Sequence, residues 1–152
     1  MRKKDREIAA IDEIEGVIKK ATTCRIGLVD NDEPYVVPIC FGYKRKALYF
    51  HGAPEGRKIE LIKRNNKVCF EMDADVEMVK ADKACGWTIK YRSVMGVGRA
   101  SILENDDEKS HGLGLIMKHY GSNDFGFPKS LLDKTLVVRV DIKSMTGKKS
   151  GY

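Results

Sequence analysis

The sequence predicts a mainly β fold, a barrel of short strands with helices inserted between them. Three observations point there. Apolar residues alternate with polar ones in some six or seven short runs. The helical patterns between them are few, so a closed or split barrel fits better than a strand–helix–strand parallel sheet. The longest run, residues 86–102, holds Gly96 and Gly98 in its interior, where glycine marks a bend or a close backbone approach, as at a barrel corner. With 152 residues and no internal repeat, one domain with a real core accounts for the whole chain.

Taken in order, Asp5 is placed to cap an amphipathic helix over about residues 5–21, with Ile8, Ile11, Ile14 and Ile18 inward. Residues 24–29 alternate like a strand, and Asp30-Asn31-Asp32-Glu33-Pro34 is turn material. Residues 35–43 are apolar on both faces, which predicts a strand covered on each side by the core or by a partner. Pro38 inside this run cannot donate to a ladder, so that point is an edge or a bulge. Lys44-Arg45-Lys46 forms a hairpin tip. Val68, Phe70 and Met72 face inward on a further strand, and residues 74–85 read as a loop or partial strand. A second helix follows over residues 105–120, capped by Asn105 or Asp106, with Leu113, Ile116 and Met117 inward. Residues 121–128 are loop, and residues 135–142 close the sheet.

The stretch that organises the chain runs from Leu48 to Arg64. Ala47, Tyr49 and His51 share one face of a short strand, and Leu48 and Phe50 the other. After Gly52-Ala53, Pro54 suits the first turn of a helix, where a missing N–H leaves nothing unpaired. Ile59, Leu61 and Ile62 give that helix its apolar stripe. Its free backbone N–H groups attract anions. Arg57 and Lys58 oppose the helix dipole, a penalty that a bound phosphate would reverse. Against this stands the plain reading of a solvated basic surface, with Glu55 offering its own carboxylate to the same N–H groups.

Composition narrows the alternatives. The charge of +6, from 28 basic and 22 acidic residues, suits an anionic cofactor or substrate. No helix-turn-helix, zinc-finger or RNA-motif pattern supports nucleic acid. No apolar stretch is long enough to span a bilayer, and the charged N-terminus does not read as a signal peptide, which implies a cytoplasmic address. Cys24, Cys40, Cys69 and Cys85 form no Cys-x-x-Cys pair, and three lie in apolar runs as small buried hydrophobes. His111 and His119 are eight residues apart, which does not favour a zinc site.

The run Val37-Pro38-Ile39-Cys40-Phe41-Gly42-Tyr43, the run Leu48 to Lys58, and Tyr91-Arg92-Ser93-Val94 with Gly98 together carry a resemblance. So do residues 138–142 followed by Met145-Thr146-Gly147-Lys148. The chain resembles the pyridoxamine-phosphate-oxidase-like, FMN-binding split-barrel family, within it the nitroimidazole-resistance subgroup, over nearly its whole length. The resemblance implies a homodimer with FMN at the interface and a small-molecule substrate. It places Arg57 and Lys58 at the flavin phosphate, and Pro38, Ile39 and Cys40 along the ring edge through their backbone. Tyr49, His51, Gly52 and Ala53 lie beside the ring or ribityl chain, with Glu55 and Gly56 in the phosphate loop. Arg92, Ser93 and Val94 match positions that reach the cofactor in the oxidase branch. The pyridoxamine-phosphate-binding arginines and histidine of the true oxidases find no match near the C-terminus, which argues against vitamin B6 oxidation.

A bound flavin needs little catalytic machinery from the protein beyond position and polarity. The missing nucleophile–base pair is therefore no argument against an enzyme, and His51 is the candidate titratable group at the substrate. The resemblance implies an FMN-dependent oxidoreductase of the nitroreductase kind. Two alternatives stand beside it: a flavin-binding or redox-sensing module without turnover, and pyridoxamine-phosphate oxidase-like activity.

Overall fold

The computed structural model describes residues 4–122 and 125–152. Its strands are β1 (Glu7–Ile8), β2 (Cys24–Asp30), β3 (Glu33–Ile39), β4 (Gly42–Lys44), β5 (Ala47–Gly52), β6 (Lys67–Val79), β7 (Thr88–Leu103) and β8 (Leu136–Ser150). The helices are α1 (Ile11–Lys20), α2 (Arg57–Arg64), α3 (Asp106–His119) and α4 (Lys129–Leu132). All strand pairs are antiparallel, in the order β3-β2-β6-β7-β8-β5-β4, with β1 added to β8. The sheet curls around one core but does not close: β3 and β4, consecutive in sequence, are its two opposite end strands. This is a split barrel.

The inward residues are those the alternation selects. Ile26, Leu48, Phe50, Phe70, Met72, Val94, Val138 and Val140 are all fully buried in the main core. Ile14, Val17 and Ile18 of α1 cover one side of this core, and Ile59, Leu61 and Ile62 of α2 another. Outside the sheet, α3 lays Leu113 and Ile116 over Ala47, Tyr49 and Val137 in a second cluster. Asn105 caps α3, its side chain accepting from the N–H groups of Asp107 and Glu108.

Four sequence expectations are corrected. The N-terminal helix starts at Ile11, not near residue 5. Ile8 instead pairs with Gly147 on β8 and is 3% exposed. A Cβ on Gly147 would sit 2.8 Å from that of Ile8, so the strand pairing buries Ile8 more closely than a helical turn would. The apolar run 35–43 is two strands, broken at Cys40-Phe41 where the chain crosses the split. Its outward residues Val36 and Pro38 are exposed, and Pro38 sits on an end strand, the place where proline costs least. Residues 74–79 are the partial strand of that expectation: they continue β6 past a register shift between Ala74 and Glu77, and Asp75 takes a positive φ of 54° there. Of the cysteines only Cys24 is buried; Cys40, Cys69 and Cys85 face outward on their strands or loops. The last strand runs on to Ser150. The loop foreseen over residues 121–128 includes 123 and 124, outside the described residues, and α4 follows it without a sequence signal.

Candidate functional site

Open sheets bind ligands where neighbouring strands part, because unpaired backbone groups are free there. In this chain the parting is the seam between β3 and the β4–β5 hairpin. The start of α2 stands over it. Arg57 lies over the ring of Tyr35 on β3, 4.8 Å from its centroid. Lys58 lies over the ring of Phe50 on β5, at 5.2 Å. The first two side chains of one helix therefore straddle the seam.

The helix begins at Arg57, later than Pro54 predicts, because Gly56 adopts φ 126°, a conformation that glycine supplies and other residues resist. Gly56 has no side chain, so α2 has no side-chain cap, and Glu55 lies outside the helix. The first N–H groups of α2 thus keep the positive end of the helix dipole open.

The two cations differ. Arg57 donates from Nε and Nη2 to Asp30 Oδ2 at 3.2 and 3.0 Å, and Glu33 lies 3.8 Å away. These carboxylates sit at the β2–β3 turn, so the turn holds the guanidinium beside the seam. Lys58 is half-buried, and burial alone lowers its pKa. Its Nζ lies 3.5 Å from where a Cβ on Gly52 would be. A Cβ at position 52 would meet this amine in ordinary van der Waals contact. Among the described residues no carboxylate pairs with it, and a half-buried amine in that state is a natural anion ligand.

His51, one residue before the end of β5, stands opposite Val137 of β8. Partial burial, and then the Lys58 charge, lower its pKa, so the neutral imidazole is favoured. Gly52, Ala53, Glu55 and Gly56 form the exposed or half-exposed link from His51 to α2. Along the other side of the seam, Pro38 and Cys40 point outward and Ile39 is buried. From Tyr35 to Cys40 the edge of β3 extends roughly 16 Å at the usual rise per residue.

Not every candidate joins this group. Tyr49 shares its face of β5 with His51 but lies under α3, 8% exposed, with its ring edge-on to His111. Val94 is fully buried and could meet a ligand only through its backbone. Arg92 and Ser93 pair with Lys149 and Lys148 on β8, roughly 35–40 Å along that strand from Val137. Arg92 pairs with Asp75 at 2.7 Å and stacks on Tyr152 at 4.0 Å, while Lys20 of α1 binds the same carboxylate at 3.0 Å. One chain therefore brings Arg57, Lys58 and His51 to one end of the seam and leaves Arg92 and Ser93 elsewhere.

Three seam residues escape sequence reasoning: Asp30, Tyr35 and Tyr120. The Tyr120 hydroxyl accepts from the Phe41 N–H at 3.2 Å and donates to the Thr22 carbonyl at 2.9 Å. Partners separated by 79 and 98 residues leave no local pattern.

The family model described as pyridoxamine 5′-phosphate oxidase matches residues 11–149. The chain belongs to this family. Among solved structures it is similar to a Bacteroides thetaiotaomicron protein that carries the name of a 5-nitroimidazole antibiotic resistance protein. That pair share 35% identity over 94% of this chain and 86% of the other, with a TM-score of 0.85. Two family-like folds at lower identity are an FAD and heme binding protein from Mycobacterium smegmatis and an FAD-binding protein from Mesorhizobium loti. The first has 18% identity and a TM-score of 0.85 over 97% of this chain and 74% of the other. The second has 22% and 0.70 over 96% and 98%. These two show the fold alone. An uncharacterized Rhizobium meliloti protein is 31% identical over 61 residues, 40% of each chain, so the match spans less than half of that relative.

Proposed function

We propose that this family member binds FMN along the seam and acts as a flavin-dependent oxidoreductase on small aromatic compounds of the nitroimidazole type. The observation that carries the reading is the uncapped start of α2 over the seam, with Lys58 half-buried and its pKa lowered by burial alone. Such a place fits a phosphate monoester, and the β3 edge runs on from it toward Pro38 and Cys40. The similarity to the Bacteroides protein supports the substrate class.

Lys58 and the first N–H groups of α2 hold the phosphate, with Arg57 as a second, already paired cation. Gly52 and Ala53 keep the approach open, and the edge of β3 from Pro38 to Cys40 borders the ring. Bound flavin supplies hydride and electron transfer; the protein supplies orientation, polarity and exclusion of water. His51, neutral and accessible, is the group placed to hold or give a proton at the substrate. Arg92 and Ser93 are too far along the sheet to serve the same seam, so they reach it from a second copy. This makes the working unit a homodimer in which each site is completed by the partner chain.

The test is the visible spectrum of the purified protein under anaerobic conditions, before and after a reduced nicotinamide is added. A yellow protein that bleaches supports the enzyme. One that no donor bleaches supports the alternative, a flavin-binding module without turnover. A colourless protein that cannot be reconstituted with FMN sinks both. Lys58→Ala should weaken FMN about 10- to 100-fold and leave riboflavin, which has no phosphate, nearly unchanged. Equal losses for the two flavins would place the phosphate elsewhere.

A further inference from the structure

The proposal above uses the start of α2 and the Pro38–Cys40 edge, and leaves unused what holds the chain just beyond that edge. From β3 the chain passes to β4 through Cys40-Phe41, which pair with no strand among the described residues. A backbone N–H at such a gap is expensive to leave unmet. The Phe41 N–H is met by a side chain, the Tyr120 hydroxyl at 3.2 Å, which passes its own proton to the Thr22 carbonyl at 2.9 Å. His119 next to it lies 2.7 Å by Nε2 from the Ala21 carbonyl, and its ring stacks on Phe41 at 4.2 Å. The C-terminal end of α3 thus ties the crossing of the split to the link between α1 and β2. Phe41 itself is fully buried, so the crossing is gripped from both its side chain and its backbone.

We infer that Tyr120 is a positioning residue for the flavin ring: its hydroxyl fixes the Pro38–Cys40 edge that borders the ring, as α2 fixes the phosphate. The inference rests on the flavin reading given above. Tyr120 and α2 then act on different parts of one ligand. Loss of the hydroxyl frees Phe41 and lets the Cys40 backbone drift, which is felt by the ring and not by the phosphate.

Tyr120→Phe keeps the ring and its packing and removes only the two hydrogen bonds. Dissociation constants for FMN and riboflavin are measured on wild type, Tyr120→Phe and Lys58→Ala, together with the visible band of each bound flavin. Tyr120→Phe should weaken both flavins by about the same factor, near tenfold, and shift the bound-flavin band. Lys58→Ala should affect FMN alone and leave the band in place. Amide hydrogen exchange at Phe41 in the flavin-free protein should speed up in Tyr120→Phe, which checks the tie even if the variant binds poorly. Unchanged affinity for both flavins, a loss confined to FMN, or an unmoved band with a loss that merely follows a fall in Tm would overturn the inference while leaving the flavin reading intact. Wild type that binds neither flavin overturns both.

Discussion

Lys58 and Arg57 are adjacent in sequence and carry the same charge, yet their surroundings set them apart. Arg57 is paired with two carboxylates at a half-exposed site, where ion pairs contribute little, on the order of 0–1 kcal/mol. Arg57→Ala should therefore lower FMN affinity less than Lys58→Ala does, with the two Kd values as the check. His51 makes a prediction on pH. Its pKa is lowered in the folded chain, by burial first and by Lys58 second. The unfolded chain then binds the proton more tightly than the folded one as pH falls below about 6.5, the ordinary histidine value. The sign is that His51 costs stability on acidification and nothing above that pH. In the flavin-free protein, Tm from pH 7 to pH 5 should fall more for wild type than for His51→Gln. Parallel falls would mean that the imidazole is not perturbed by folding.

At the scale of the element, α3 meets the β4–β5 hairpin backbone to backbone. Gly42, the first residue of β4, is buried, and a Cβ there would sit 2.5 Å from the Leu115 carbonyl carbon and 2.7 Å from the Ile116 nitrogen. A helix backbone cannot give way as a flexible side chain can. Gly42→Ala should destabilise the fold by about 1–3 kcal/mol, the usual range for overpacking, seen as a lower denaturant midpoint. An unchanged midpoint would show that α3 is free to shift. Because α3 also carries Tyr120, the same variant should loosen the crossing at Phe41. The sharp turn Arg45-Lys46, with both φ values positive at 48° and 61°, ends the hairpin on the side remote from the seam.

For the whole molecule the open question is what covers the outer face of the sheet. Val36, Gly27, Cys69 and Val97 lie in one register row across β3, β2, β6 and β7. They line a groove of about 550 Å³, and Val36 and Met95 nearby are 61% and 59% exposed. Apolar surface of this kind fits the second copy that the proposed site requires. Thiol labelling of the native, flavin-free protein reads it directly. Cys24 is buried, with its pKa pushed up to about 12 by burial and by Glu71, and should not react. Cys85 should react at any concentration. Cys69 should react in dilute protein and be protected where sedimentation shows a dimer. A dimer that labels at Cys69 as fast as at Cys85 would put the interface on another face.

What the sequence determined by itself is the part carried by short-range pattern. Period-two alternation placed β2, β5 and most of β7, because a strand's inward residues follow from its pleat alone. Arg57 and Lys58 were legible as a cationic helix start because a turn, a glycine and an apolar stripe at helical spacing lie within a dozen residues of them. The local pattern could not show that residues 35–43 divide between the two ends of a sheet, since both halves are equally apolar and the break depends on where the barrel fails to close. Nor could it assign Ile8 to a strand, because its partner Gly147 lies at the far end of the chain. The different fates of Arg57 and Lys58, one paired with the β2–β3 turn and one left facing the seam, were decided by the tertiary structure. So was the tie from Tyr120 to Phe41. Both depend on groups brought together from distant parts of the sequence, where nothing in either segment specifies the other.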